Sequence, residues 1–436
     1  MNLRDQLRII FQKIKETGKT QISKNFFSLS VLQAANILLP LLTFPYLIQT
    51  IGIEKFGLLG VALALINYFE IVQDYGFNFS ATKFVSQNRD DANALNKIFS
   101  AITIIKLVFT SIGLAVLIVL FGLFDQIGQY KWIYLLTFGR VIGGAIYPIW
   151  LYQGLEKMKF ITYFSVSAKV ISSALIFVLI QTENDFYLAP ILNSAGFILP
   201  GIVAQVHIYR VLKLKISPQP LHVIQETIKD GFHIFLSRVY VNIYNSFNVF
   251  ILGIMTTYSV AGYYAVAAKI IEAGAMIFIP ANSAIFPHLA KVWKTNKLEF
   301  QKLIRKMKMV FISLGSTIGV ILFILAGPIV SLVNSKPDFN IELTLRILCL
   351  KMPIIALGSL FTSSLINQGR NKDYLWVVRN TFLANILLVP LGIYLFEGHG
   401  LAAAVVIVSV LHIFFFSRKI KSPLETGSEA AILTTP

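Results

Sequence analysis

Eight basic side chains fall inside stretches that are otherwise apolar: Lys106, Arg140, Lys169, Arg238, Lys269, Arg346, Lys351 and Arg379. Three acids lie deep in those stretches, Glu70, Asp74 and Glu272. An ionised group at the centre of a bilayer costs about 2.5–3.5 kcal/mol even on the mild insertion scale, so it normally faces a partner or a watery cavity. Counting only these deep acids, eight cations leave an excess of five positive charges. Such an excess is hard to keep in an apolar surround unless the cations line a hydrated cavity that takes an anion, and a phosphate-bearing substrate would supply one. Depth ranks the candidates. Arg140, Lys169, Lys269 and Lys351 lie about ten residues into their helices, near the midplane at about 1.5 Å per residue, too deep for their heads to reach water easily. Lys106, Arg238 and Arg379 start nearer the cytoplasmic end, where a cavity position and snorkelling to the interface are both open. Arg346 is nearest the outer surface and reads as an interfacial anchor.

The acids suggest two roles. Glu70 and Asp74 are four residues apart and share a helix face, with Asp74 in position to pair with Lys106, and Lys269 and Glu272, three apart, form a similar pair. Structural ion pairing is one reading; the other is an acid that titrates to couple H⁺ or Na⁺ entry to transport. Arg238, Asn242 and Asn245 lie near one helix face, with Asn248 a turn further on. That polar stripe either lines a sugar-compatible cavity or bonds between helices. Six scattered histidines give no pair at metal-ligand spacing, Cys349 is the only cysteine, and neither a nucleotide-phosphate loop nor a nucleophile elbow is present. No cofactor is expected beyond the coupling ion.

The elements that must position these groups are membrane helices. Of 436 residues, 56% are hydrophobic and 14% charged, with a mean hydropathy of +0.71. Apolar runs near 20 residues recur throughout, each long enough to cross a hydrocarbon core of roughly 30 Å. Twelve spans are expected, near 26–50, 56–80, 98–121, 131–152, 160–180, 187–209, 231–254, 258–286, 309–333, 341–366, 373–396 and 399–416. The net charge of +17 follows the loops: alternate connections and the two termini hold 27 Lys and Arg, against Lys55, Lys131 and Lys336 on the other side. Basic loops stay cytoplasmic, so both termini are expected there, and nucleic acid is not the partner that the charge implies. The first apolar run is too long for a signal-peptide core, and no cleavage is expected.

The expected organisation is all-α and polytopic: a basic arm over 1–25, a six-helix lobe over 26–215, a second over 216–420 and a cytoplasmic tail over 421–436. Leu3, Leu7, Ile10 and Ile14 place one apolar face on the arm, which suits either a helix on the anionic membrane surface or a solvated arm. Six spans per half give both halves one orientation, a parallel repeat. Thr50-Ile-Gly-Ile-Glu-Lys-Phe56 aligns with Thr257-Tyr-Ser-Val-Ala-Gly-Tyr263 in support. Prolines at 40, 45, 148, 200, 280, 328, 353 and 390 mark bends.

Several segments resemble the Wzx-type O-antigen flippases, the polysaccharide transporters of the multidrug/oligosaccharidyl-lipid/polysaccharide exporter group. Asn36-x-x-x-Pro40, Pro45-Tyr46-Leu47 and Gly52-x-x-x-Phe56-Gly57 are similar to that family's opening signature. In Tyr147-Pro-Ile-Trp-Leu-Tyr-Gln-Gly-Leu-Glu156, residues Pro148, Trp150, Gln153, Gly154 and Glu156 fall in the family's spacing. Taken only as a helix end, the same segment gives Trp150 as an interfacial belt residue and Gly154 as a C-cap. The resemblance implies two six-helix lobes around a central cavity that opens alternately to each side while an undecaprenyl-diphosphate-linked oligosaccharide passes. It implies a basic cavity without assigning its residues.

A multidrug exporter of the same fold, driven by H⁺ or Na⁺, is the alternative, but its cavity should favour acids. A major facilitator would carry a Gly-x-x-x-Asp-Arg-x-Gly-type linker that 81–97 lacks. A polymerase or glycosyltransferase would need a sizeable extramembrane loop with acid or base residues. The expected partners are the lipid-linked oligosaccharide, membrane lipids and the polysaccharide polymerase machinery.

Overall fold

A computed structural model describes residues 21–420; the arm up to residue 20 and the tail 421–436 lie outside the described residues. Within them the chain is helical, without strands. The first helices are α1 (Gln21–Asp74), α2 (Phe77–Gln87), α3 (Ala92–Leu123), α4 (Asp125–Gln129), α5 (Lys131–Ile146), α6 (Ile149–Gly154), α7 (Met158–Leu179) and α8 (Leu188–His207). There follow α9 (Leu221–Met255), α10 (Tyr258–Ala275), α11 (Phe278–Thr295), α12 (Lys297–Ile324), α13 (Ala326–Asn334), α14 (Phe339–Cys349), α15 (Met352–Asn367) and α16 (Asn371–Lys419).

Polar caps start several of these helices by taking up backbone N–H groups that no helical turn can satisfy. Asp91 Oδ1 accepts from Asn93 N at 2.9 Å and Ala94 N at 3.0 Å at the start of α3, and Asn296 Oδ1 accepts from Leu298 N and Glu299 N, each at 3.0 Å, before α12. Backbone breaks divide the longest ones. Gly52, at φ +80°, interrupts α1, and Phe396 with Glu397 (φ +49°, ψ −128°) interrupts α16. Tyr147 and Pro148 leave the helical region and separate α5 from α6.

Among the described residues, eight helices are long and apolar enough to span a bilayer, and the pair α14 and α15, bent by 42°, makes a ninth. The breaks at Gly52 and at Phe396–Glu397 each divide one such helix in two, and the 35-residue α9 covers the stretch where another span is expected. The spans expected over 131–152 and 341–366 are both interrupted, at two of the prolines expected to mark bends. Pro148 lacks the N–H that would continue α5, and the latter span is broken between Cys349 and Met352, just before Pro353.

Two compact units emerge. One joins Met1–Ile51 to Leu65–Val239, and the other joins Gly52–Ala64 to Tyr240–Pro436. The first unit's core gathers Phe77, Phe99, Trp150, Tyr152, Ile161 and Ala204 from α2, α3, α6, α7 and α8. A core of the second unit holds Leu357, Phe361, Leu365, Val377 and Phe416. The segments aligned as repeats meet within the second unit. A Cβ on Gly57 would stand 2.0 Å from the Tyr258 carbonyl oxygen, and one on Gly262 2.2 Å from that of Ile53. Only glycine permits backbones to cross so closely, as small-residue pairs do between membrane helices.

Candidate polar site in the first unit

Four helices of the first unit converge on one polar cluster. Asn36 and Glu70 come from either side of the Gly52 break in α1, Arg140 from α5, Lys169 from α7, and Asn193 with Phe197 from α8. An unbroken helix would set Asn36 and Glu70 about 50 Å apart, so the break at Gly52 is what lets both reach it. Asn193 and Phe197 are four residues apart on one face of α8, which is tied to α5 by the Ser194 hydroxyl donating to the Leu136 carbonyl at 2.6 Å.

Arg140 is gripped on three sides. Its Nε donates to Glu70 Oε1 at 2.6 Å, its Nη2 to Glu70 Oε2 at 3.3 Å and its Nη1 to Asn193 Oδ1 at 3.1 Å. This fork on a carboxylate is the strongest of the common side-chain pairings. Lys169 Nζ donates to Asn36 Oδ1 at 2.5 Å. Both cations lie over the ring of Phe197, the Arg140 guanidinium carbon at 4.4 Å from its centroid and Lys169 Nζ at 5.0 Å. The negative face of an aromatic ring attracts cations, so Phe197 helps two like charges share a site with a single acid. The Arg140 and Glu70 side chains remain 18% and 25% exposed. The cluster therefore carries a net positive charge, two amide acceptors and an opening to its surroundings.

Lys106 is a different case. Only 3% exposed, it stands with its Nζ 3.5 Å from Asp74 Oδ1 and 3.4 Å from the Gly144 carbonyl oxygen, while Asn78 Nδ2 donates to the same carboxylate oxygen at 2.7 Å. Of the two positions open to Lys106, snorkelling is excluded by its burial, and the pairing expected with Asp74 is present: Lys106 points into the helix packing of the first unit and is held there by an acid.

The remaining candidates lie elsewhere. In the second unit Lys269 pairs with Glu272 at 2.7 Å, both more than half exposed. Lys351 is half-buried at the break between α14 and α15, and Arg379 is on an exposed face of α16. Arg346, expected to anchor at the interface, is bound by Glu342 one turn away at 2.7 Å and lies over Phe323. Asn248 is buried, with no partner for its Oδ1 among the described residues. The side chains of Arg238, Asn242 and Asn245 lie outside the described residues. Of the four cations ranked deepest, the structure joins Arg140 to Lys169. It adds three residues that depth alone could not select, Asn36, Asn193 and Phe197. The signals were the Asn36-x-x-x-Pro40 signature and the i, i+4 spacing on α8.

The motif over 147–156 holds the first unit together. Trp150 is fully buried and packs near Phe99, which corrects its reading as an interfacial belt residue. Thr82 donates to the carbonyls of Asn78 and Trp150, at 2.8 and 3.2 Å, and lies 3.4 Å from Gln153 Oε1, joining α2 to α6. The C-cap of α6 is Leu155, and the left-handed residue that ends the turn is Glu156, at φ +56°, not Gly154. Glu156 also binds Arg89 at 2.6 Å. Pro148 is the N-cap of α6 and fixes where the chain turns into it.

Known proteins are similar to this chain over nearly all of their length. A provisionally named O-antigen transporter of Escherichia coli (strain K12) is 28% identical over 414 residues, which are 93% of this chain and 99% of that protein. Among solved structures, the lipid II flippase MurJ in an inward closed conformation superposes with a TM-score of 0.70 at 15% identity, over 91% of this chain and 87% of its own. An inward-facing multidrug resistance MATE family transporter of the MOP superfamily follows at 0.69 and 15%, over 94% and 100%. These two likenesses establish a shared fold. The polysaccharide biosynthesis protein family matches residues 22–293, more than half of the sequence, and the chain, a multi-pass membrane protein, belongs to that family, where its motifs had pointed.

Proposed function

We propose that the chain is a transporter that carries an undecaprenyl-diphosphate-linked oligosaccharide from the cytoplasmic to the periplasmic leaflet of the bacterial inner membrane by alternating access, with both termini cytoplasmic. The observation that carries this reading is the cluster of Arg140 and Lys169 with one acid, Glu70, amid amides suited to sugar hydroxyls. An anionic group that enters beside Lys169 neutralises the local excess, while the polyprenyl tail stays in lipid. The name of the E. coli relative supports the sugar class, and family membership supports the polysaccharide pathway. Coupling to H⁺ or Na⁺ would draw on Glu70, Asp74 or Glu272. Each already faces a cation, so an entering ion would compete with Arg140, Lys106 or Lys269.

The reading is tested in a strain that lacks the gene. Loss of surface polysaccharide, with lipid-linked repeat units accumulating on the cytoplasmic leaflet and display restored by this chain, is the expected result. Unchanged polysaccharide with altered sensitivity to cationic drugs would overturn it in favour of drug export.

A further inference from the structure

Glu70 presents to Arg140 what an anionic ligand would present. Its two oxygens take Nε and Nη2 of the guanidinium, the geometry in which arginine receives a carboxylate or a phosphate. The pair is partly exposed, so an incoming anion can reach it. Lys169 lies over the same aromatic ring, is held by the neutral Asn36 and has no salt-bridge partner among the described residues. The two cations are thus prepared differently: one is open to an anion, the other is already occupied from within the protein.

We propose that Glu70 is an internal competitor for the ligand's anionic group, so that binding proceeds by ion-pair exchange. The anion meets Lys169 first. It then displaces the Glu70 carboxylate from Arg140 and takes over the fork, with Phe197 keeping both cations in register and Asn193 holding Nη1. No covalent bond is made or broken, and the exchange replaces the internal carboxylate–guanidinium pair with an oxyanion–guanidinium pair to the ligand. The binding energy of the ligand is therefore offset by the loss of the internal pair, which keeps a strongly cationic site from holding its cargo too long. This inference rests on the transport reading for the identity of the cargo. The ligand chemistry it names is an oxyanion able to receive two parallel N–H bonds, from a linkage diphosphate or from a sugar carboxylate.

The test is anion binding to the purified full-length protein in nanodiscs, at constant ionic strength, with inorganic pyrophosphate and with glucuronate as separate probes. Glu70→Gln is expected to tighten binding of at least one probe by about tenfold, because the competing pair no longer has to be broken. Arg140→Gln introduced into that variant should abolish the gain. The probe that responds identifies the diphosphate or the carboxylate as the group received. Glu70→Asp, which keeps the charge but shortens the reach to Arg140, should give an intermediate gain, and it carries the test if the glutamine variant does not fold. Equal or weaker binding in both variants would make Glu70 a structural brace and overturn the proposal. The predicted order of affinities in a protein that moves no lipid-linked sugar would support the exchange while contradicting the transport reading.

Discussion

Two ion pairs in the first unit look alike in sequence and differ in surroundings. Asp74–Lys106 is buried, so its value depends on both partners being present: removing one leaves an unpaired charge inside the helix packing. Lys106→Met should cost about 3–5 kcal/mol, read as a lowered thermal midpoint in detergent, while the double change Lys106→Met with Asp74→Leu should return most of it. A single variant as stable as the wild type would mean that the pair is not desolvated. Glu70–Arg140 is partly open, sits beside a second cation and contacts amides, and substitution there should act on transport more than on folding. Arg140→Gln and Lys169→Gln should each lower polysaccharide display by about tenfold or more with near-normal protein levels in the membrane, measured by surface labelling against immunoblot. Depth along the helix put Arg140 and Lys169 among four candidates, and only the structure separates these two, brought together in one cluster, from Lys269 and Lys351. Depth could not tell that Lys106 turns inward, because a side chain's direction around its helix depends on which helices pack beside it.

Helix ends and crossings set where these groups meet. Glu397 holds a backbone conformation with positive φ and ψ near −128° that suits glycine, in the turn that divides α16. Glu397→Gly should therefore raise stability by about 1 kcal/mol, and a lowered thermal midpoint would show that its carboxylate contributes more than the strain costs. At the crossing of Gly57 with Gly262 no side chain fits, and Gly262→Ala should destabilise by about 1–3 kcal/mol through forced separation of the backbones, seen in the same melting assay. Elements of this kind were partly legible in advance. Hydropathy located twelve spans, and the alignment of 50–56 with 257–263 picked out two segments that touch. The breaks at Gly52 and Glu397 fall in the short gaps that the expected spans leave after 50 and after 396, although hydropathy does not show which residue leaves the helical region. Trp150 was misread for a related reason. Tryptophan near a helix end usually marks the interface, but here the chain turns at Pro148 and carries the indole into the core.

At the scale of the whole molecule, the chain is built from two helical units, and its unbalanced positive charge is spread between loops and spans. The loop charges carry the expected orientation, and in the proposed reading the embedded cations serve an anionic cargo that a drug-cation exporter would not need. Family membership and the likeness to solved transporters agree with a chain that moves cargo, and the proposal assigns an anionic group on that cargo to the first unit's cluster. The central claim is that this protein moves a lipid-linked oligosaccharide between leaflets through contact with Arg140 and Lys169. The most direct measurement is the leaflet distribution of an undecaprenyl-diphosphate-linked repeat unit in vesicles that contain the purified wild type, Arg140→Gln or Lys169→Gln. Transfer by the wild type, reduced about tenfold or more in both variants, is the predicted result, whereas no transfer by the folded wild type, or equal transfer by all three, would contradict the claim.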